Sequence, residues 1–192
     1  SARYMAEVIS PALRDKARAL VQRHRDAGDT LAMVTATNDF ITRPIAAAFG
    51  IEHLIATELE RDAAGRATGR VHGVPALREG KIERVQQWLA RRGLRWSDCA
   101  SITFYGDSTN DLPLLEQVTH PVATNPGPAL ARIAAERGWP ILKRNLDRII
   151  SLTVNMLAFS RQRRVEIELT PLAPLIEDCS QLLEPLTTSR QV

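Results

Sequence analysis

Residues 101–118 read SITFYGDSTNDLPLLEQV, and the fold is decided by how this stretch divides. SITFYG has the β-branched and aromatic character of a buried strand. DLPLLEQV reads as a helix, and the strand passes into it at once through Gly106-Asp107-Ser108-Thr109-Asn110-Asp111. A strand feeding directly into a helix is the repeating step of an α/β domain. In open sheets of that kind ligands gather at the carboxyl ends of the strands, which is where this turn falls. Gly106 predicts a sharp backbone turn there. Asp107 and Asp111 stand four residues apart in it, and crowded carboxylates repel unless something positive lies between or beside them. A hard divalent cation answers that need, since Mg²⁺ takes one or two carboxylates together with waters and a phosphate oxygen. The plainer reading is that both aspartates cap the helix.

Working outward, the same alternation runs from residue 2 to about residue 143. SPALRDKARALVQRHRDAG opens on Ser10-Pro11 and closes on Gly28, as a helix does. TLAMVTAT is continuously apolar, the pattern of a strand covered on both faces. A helix from Asp39 to Phe49 follows, then the strand HLIATELE, a hairpin-like excursion over 62–75, and a helix over 79–92. Beyond the opening stretch, PVATN, PALARIAAERG and WPILK read as strand, helix and strand. The fold class is therefore α/β, a Rossmann-like doubly wound parallel sheet occupying residues 1–143. Residues 144–192 read as a C-terminal extension. In it RNLDRIISLTVNMLAFSRQRR predicts an amphipathic helix, VEIEL (165–169) an edge strand, and the rest a loose tail.

Composition limits the function classes. The chain has 192 residues, 44% hydrophobic and 24% charged, which suits one globular core with an appendage. A net charge of +3 comes mostly from arginine, and no basic run is interleaved with aromatics, so no nucleic-acid partner is expected. No apolar run has the length of a membrane span, and no membrane partner is expected. The two cysteines form neither a disulfide framework nor a metal-ligand spacing, which points to a reducing, cytoplasmic setting. A nucleotide-binding module is disfavoured because no GxGxxG or GxxxxGK[ST] loop is present.

Two further motifs stand at strand ends or helix starts. MVTATND brings the Thr35 and Thr37 hydroxyls to the end of a strand, with Asn38 at a helix start, an arrangement that suits a phosphoryl oxygen or a simple N-cap. In REGKIERVQQWL, Lys81 follows Gly80 at a helix start, where a cation opposes the helix dipole; it answers an anion or lies on the solvated surface.

Taken together, VTAT (34–37), GK (80–81) and GDSTND (106–111) resemble motifs II, III and IV of the haloacid dehalogenase superfamily of phosphohydrolases. GDSTNDLPLL and IATELE (55–60) are particularly similar to the phosphoserine-phosphatase-like branch. The resemblance covers roughly residues 5–142. It implies that Thr35 hydrogen-bonds the transferring phosphoryl group and that Lys81 neutralises its charge. It implies that Asp107 binds Mg²⁺ and Asp111 supports the metal site, with Thr35, Thr37, Asn38 and Lys81 forming the substrate site. The substrate implied is a small phosphorylated metabolite, such as phosphoserine or histidinol phosphate.

Members of that family also carry a strand ending in DxDx[TV], whose first aspartate attacks phosphorus. No two of the ten aspartates here have the Asp-x-Asp spacing. The helical cap that follows this motif is likewise expected to be absent, apart from a last turn in ARYMAEV. In the family that strand lies centrally, between those bearing motifs II and IV. Its loss would leave backbone groups unpaired in the core at about 1–3 kcal/mol each. The filler is expected from an upstream segment, from VEIEL, or from a second chain through strand exchange or a homodimer. The functional expectation is a Mg²⁺-dependent phosphomonoesterase that is incomplete as given. The alternative is an inactive relic that binds phosphate or a protein partner.

Overall fold

The computed structural model describes Ile9, residues 15–143 and residues 156–161. Helix α1 spans Asp15–Asp26, strand β1 Thr30–Asn38, α2 Asp39–Ala48, β2 His53–Arg61 and β3 Ala67–His72. They are followed by α3 Glu79–Arg91, β4 Cys99–Gly106, α4 Leu112–Gln117, β5 His120–Thr124, α5 Pro128–Glu136, β6 Ile141–Leu142 and β7 Met156–Arg161.

The seven strands form one sheet in the order β3-β2-β1-β7-β4-β5-β6. β1, β2, β4, β5 and β6 run the same way, whereas β3 turns back on β2 and β7 runs against both β1 and β4. Leu31, Ala32, Met33 and Val34 are all buried, because β1 is covered on both faces. Alternate residues enter two cores: Ala32 and Val34 pack with Val85, Leu89, Leu115 and Leu130 beneath α3, α4 and α5. Leu31 and Met33 pack with Val21, Ile45 and Phe49 beneath α1 and α2. Helices on both faces of a mainly parallel sheet are the doubly wound architecture that the alternation predicts. The carboxyl ends of β1, β2, β4, β5 and β6 therefore share one edge, from which the candidate residues project. Among the described residues, no helix is long and apolar enough to cross a membrane.

The middle of the sheet differs from expectation. The gap between β1 and β4 is filled by the chain's own Met156–Arg161, within the stretch whose periodicity predicts a helix. Leu157 sits between Ala32 and Phe104, and Phe159 between Thr30 and Ile102. The sheet thus extends beyond residue 143, and the separation of a core from an extension does not hold at this strand. The reason is tertiary demand. Two parallel strands facing each other across an empty position leave both rows of backbone groups unpaired. Met156, Leu157, Ala158 and Phe159, at most 4% exposed, form the continuous apolar run that such a doubly covered position requires. Leu157 and Phe159 join one core, and Met156 and Ala158 the other. Phe159 also lies against Trp88, with ring centroids 5.1 Å apart. VEIEL, the N-terminal ARYMAEV turn and the remainder of the expected helix lie outside the described residues.

Candidate active site

The site is built from three elements that arrive at the same edge of the sheet. α3 turns Val85, Trp88 and Leu89 into the core and carries Lys81 in its first turn, also buried. The Lys81 ammonium forms an ion pair with the Asp111 carboxylate, and both side chains are almost completely shielded from solvent. The anion that Lys81 answers is therefore Asp111, and the solvated-surface reading of this lysine fails. Two charges are tolerated in such a place only when paired and hydrogen-bonded.

Asp111 meets that condition. Its Oδ1 faces Lys81, while its Oδ2 accepts from the backbone N–H groups of Asp107 at 3.1 Å and Ser108 at 3.2 Å, and from the Ser108 hydroxyl at 3.4 Å. The carboxylate thereby fixes the loop that carries Asp107 and ties it to α3. Gly106 serves this packing, because a Cβ there would lie 2.9 Å from the Asp111 Cβ. Gly106 is not among the positive-φ glycines, so the turn makes no left-handed demand, contrary to the role its sequence position suggests. Asp107 is half-buried at the end of β4.

Thr35 lies near the end of β1, two strand positions from β4, with β7 between them. The Thr37 amide donates to the Thr35 hydroxyl at 3.2 Å, which leaves the Thr35 O–H free to donate elsewhere. Asn38 is the N-cap of α2: its Oδ1 accepts from the Ile41 N–H at 3.0 Å and its carbonyl from the Thr42 hydroxyl at 2.9 Å. The structure thus joins Lys81, Asp111 and the Asp107 loop in one network. The side-chain hydrogen bonds of Thr35 and Asn38 lie within β1 and α2, apart from that network.

Several participants escape a motif reading. Ser108 braces Asp111 through both its amide and its hydroxyl, and only its place inside GDSTND hinted at that. Arg78 reaches across to Asn110, with its Nε donating to Oδ1 at 3.2 Å. Arg84 is buried beside Glu58 and donates to the Val74 carbonyl at 3.0 Å, pinning the start of the loop before α3. Two residues before Asp107, the Tyr105 hydroxyl lies 2.8 Å from His24 Nε2, and burial pushes its pKa up. His24 Nδ1 is 2.7 Å from Asp29.

Among the described residues, no group of three or more His, Cys, Asp or Glu could hold a metal ion. A tight all-protein cage is therefore not built from them. The donor set instead fits a hard ion that takes one carboxylate, from Asp107, and completes its shell with water and a substrate oxygen. Beside the site, a cleft of about 650 Å³ opens between α2 and the β2–β3 hairpin, lined by Asp39, Arg43, Glu58, Arg61 and His72 among others. His72, the last residue of β3, is one of its walls.

The family profile for haloacid dehalogenase-like hydrolases matches residues 1–116. The chain belongs to this family. Among its haloacid dehalogenase-like relatives, a histidinol-phosphatase of Neisseria meningitidis serogroup C is 48% identical over 139 residues, which cover 72% of this chain and 63% of that protein. A phosphoserine phosphatase of Mycobacterium tuberculosis is 37% identical over 70% of this chain and 42% of its own length. A crystal structure of a protein of unknown function from Bordetella pertussis Tohama I superposes with a TM-score of 0.71 at 54% identity, covering 73% of this chain and 62% of that one. A substrate-bound phosphoserine phosphatase shares the fold, with a TM-score of 0.51 at 20% identity over 67% of this chain and 57% of that one. The chain therefore spans less than two thirds of the length of each of these proteins.

Proposed function

We propose that this chain carries the phosphate- and metal-holding half of a Mg²⁺-dependent phosphomonoesterase site that takes a small phosphorylated metabolite. The observation that carries this reading is the buried Lys81–Asp111 pair, which holds the Asp107 loop rigidly at the carboxyl end of β4. Phosphoryl transfer depends chiefly on positioning and on charge stabilisation, and a preorganised cation beside a fixed carboxylate supplies both. In this reading the Thr35 hydroxyl donates to a phosphoryl oxygen, Lys81 offsets the charge of the transferring group, and the Asp107 carboxylate holds the metal with its waters. Mg²⁺, when bound, would neutralise phosphoryl charge. Asp111 acts through position, keeping Lys81 and the Asp107 loop in register. The relatives named histidinol-phosphatase and phosphoserine phosphatase support the substrate class. A cytoplasmic location, with no nucleic-acid or membrane partner, belongs to the same reading.

Among the described residues, no carboxylate stands at the middle strand position to act as the attacking group. Lysine and metal stabilise charge, but hydrolysis through a covalent intermediate needs a nucleophilic carboxylate. The middle strand position between β1 and β4 is the one from which such a group would reach both Thr35 and Asp107; the described part of β7 begins there at Met156, level with Met33 and Tyr105 and two residues short of them. That apolar middle position also favours a second reading, a non-catalytic module that binds phosphate or a protein partner through the half-site.

Binding of inorganic phosphate, titrated with Mg²⁺ and with chelator, tests the site. The wild-type chain should bind phosphate far better with the metal, and Asp107→Asn should abolish that difference while remaining folded. Binding indifferent to both metal and Asp107 would overturn the assignment.

A further inference from the structure

The loop that leads into α3 contains the one non-glycine residue of the described chain, other than Asn125, held at positive φ: Arg78, at φ 51° and ψ −123°. An L-residue adopts that conformation only when its surroundings impose it, and such strain concentrates at functional sites. The surroundings here are fixed on several sides. The Ala76 amide donates to the Thr57 hydroxyl at 3.0 Å, and the Val74 carbonyl accepts from the buried Arg84. Gly80 passes so close to the Pro75 carbonyl that a Cβ would come within 2.1 Å of it. This pinned loop aims the Arg78 side chain at the Asp107–Asp111 turn, where Nε donates to Asn110 Oδ1.

The result is a double cross-link from the start of α3 to consecutive residues of that turn. Lys81 joins Asp111 in the buried layer, and one helical turn earlier Arg78 joins Asn110 in the exposed layer above it. Among the described residues, the Asn110 contact is the guanidinium's one hydrogen bond, so both of its terminal amino groups remain available. An oriented guanidinium with two open donors is a fork for a tetrahedral oxyanion. Lys81, sealed against Asp111, is the inner cation; a second, exposed cation is then needed for the phosphoryl oxygens that face outward.

We propose that Arg78 is a phosphate-binding residue, a strained outer clamp that holds the non-bridging oxygens of the phosphoryl group while Lys81 acts from below. This rests on the phosphate-site reading above. Arg78 lies within no recognised motif, being set three residues ahead of Lys81.

The test is isothermal titration of the full 192-residue chain with inorganic phosphate in Mg²⁺, comparing wild type with Arg78→Ala, Arg78→Lys and Arg78→Gly, each also melted thermally. Arg78→Ala should weaken phosphate binding about tenfold or more, as loss of a hydrogen bond to a charged group does, with little change in midpoint. Arg78→Lys should retain part of the affinity. Arg78→Gly should raise the melting midpoint by relieving the backbone, yet bind phosphate as weakly as the alanine variant. A residue with a merely structural role would move the midpoint and leave affinity untouched. Wild-type affinity in both Arg78→Ala and Arg78→Gly overturns the clamp alone; folded wild-type protein that binds no phosphate overturns the site and the clamp together.

Discussion

The edge of the sheet that bears the candidate residues has two halves built on opposite principles. At β4 and α3 a buried cation meets a buried anion. Asp111 takes Lys81 on one oxygen and two backbone amides on the other, and Gly106 leaves the room for it. At the strand position next to it, between β1 and β4, the match is wholly apolar: β7 enters backwards and fills both cores with Met156, Leu157, Ala158 and Phe159. The polar half buries a charge against a charge. The apolar half satisfies the sheet and, among the described residues of β7, presents no carboxylate. Backbone pairing and burial ask only for an apolar strand in either direction, whereas chemistry asks for one particular side chain at one end.

The sharpest way to break this contrast is to place a charge in the apolar half. Leu157 is fully buried between β1 and β4, and Leu157→Asp should abolish cooperative unfolding, as followed by circular dichroism and by tryptophan fluorescence, to which the buried Trp88 contributes. A protein that melts as wild type would mean that β7 does not occupy the middle position. In the polar half, Asp111→Ala strands the Lys81 charge and should cost about 3–5 kcal/mol in urea unfolding. Asp107→Ala should cost only a small fraction of that while removing metal-dependent phosphate binding. Equal costs would dissolve the distinction between the bracing aspartate and the ligand-facing one. Gly106→Ala forces a methyl group against Asp111 and should cost about 1–3 kcal/mol, with Lys81 and Asp107 unchanged in sequence but displaced in effect.

The smallest effect concerns the far end of the same sheet. His53, at the start of β2, is held below its ordinary pKa of 6.5 by burial and by the neighbouring Arg92. The unfolded chain therefore takes up that proton first, so the stability His53 contributes is complete above pH 6.5 and is lost as pH falls through that value. His53→Gln should flatten the stability-against-pH curve on the acid side of pH 6.5 without touching phosphate binding.

Much of the polar half was legible in the sequence because local chain order builds it. GDSTND is one turn, Gly80-Lys81 opens one helix, and their meeting needs only the ordinary crossover of an α/β unit. The Thr35 hydroxyl at the end of a continuously apolar strand was legible for the same reason. What stayed hidden depends on distant partners. Leu157 satisfies a helical stripe as readily as a buried strand, and the choice was made by Ala32 and Phe104, which lie far away in the sequence. Gly106 was expected to ease a turn and instead makes room for Asp111. The strain at Arg78 has no signature in composition, since it arises from the crowding of Gly80 against Pro75.

The most direct measurement is hydrolysis of a generic aryl phosphate by the purified 192-residue chain in Mg²⁺, beside its Asp107→Asn variant. A half-site without its attacking carboxylate predicts folded protein that binds phosphate and yields no turnover above the metal-only rate. Metal-dependent turnover that vanishes in Asp107→Asn would contradict it, and would place a working nucleophile within this chain.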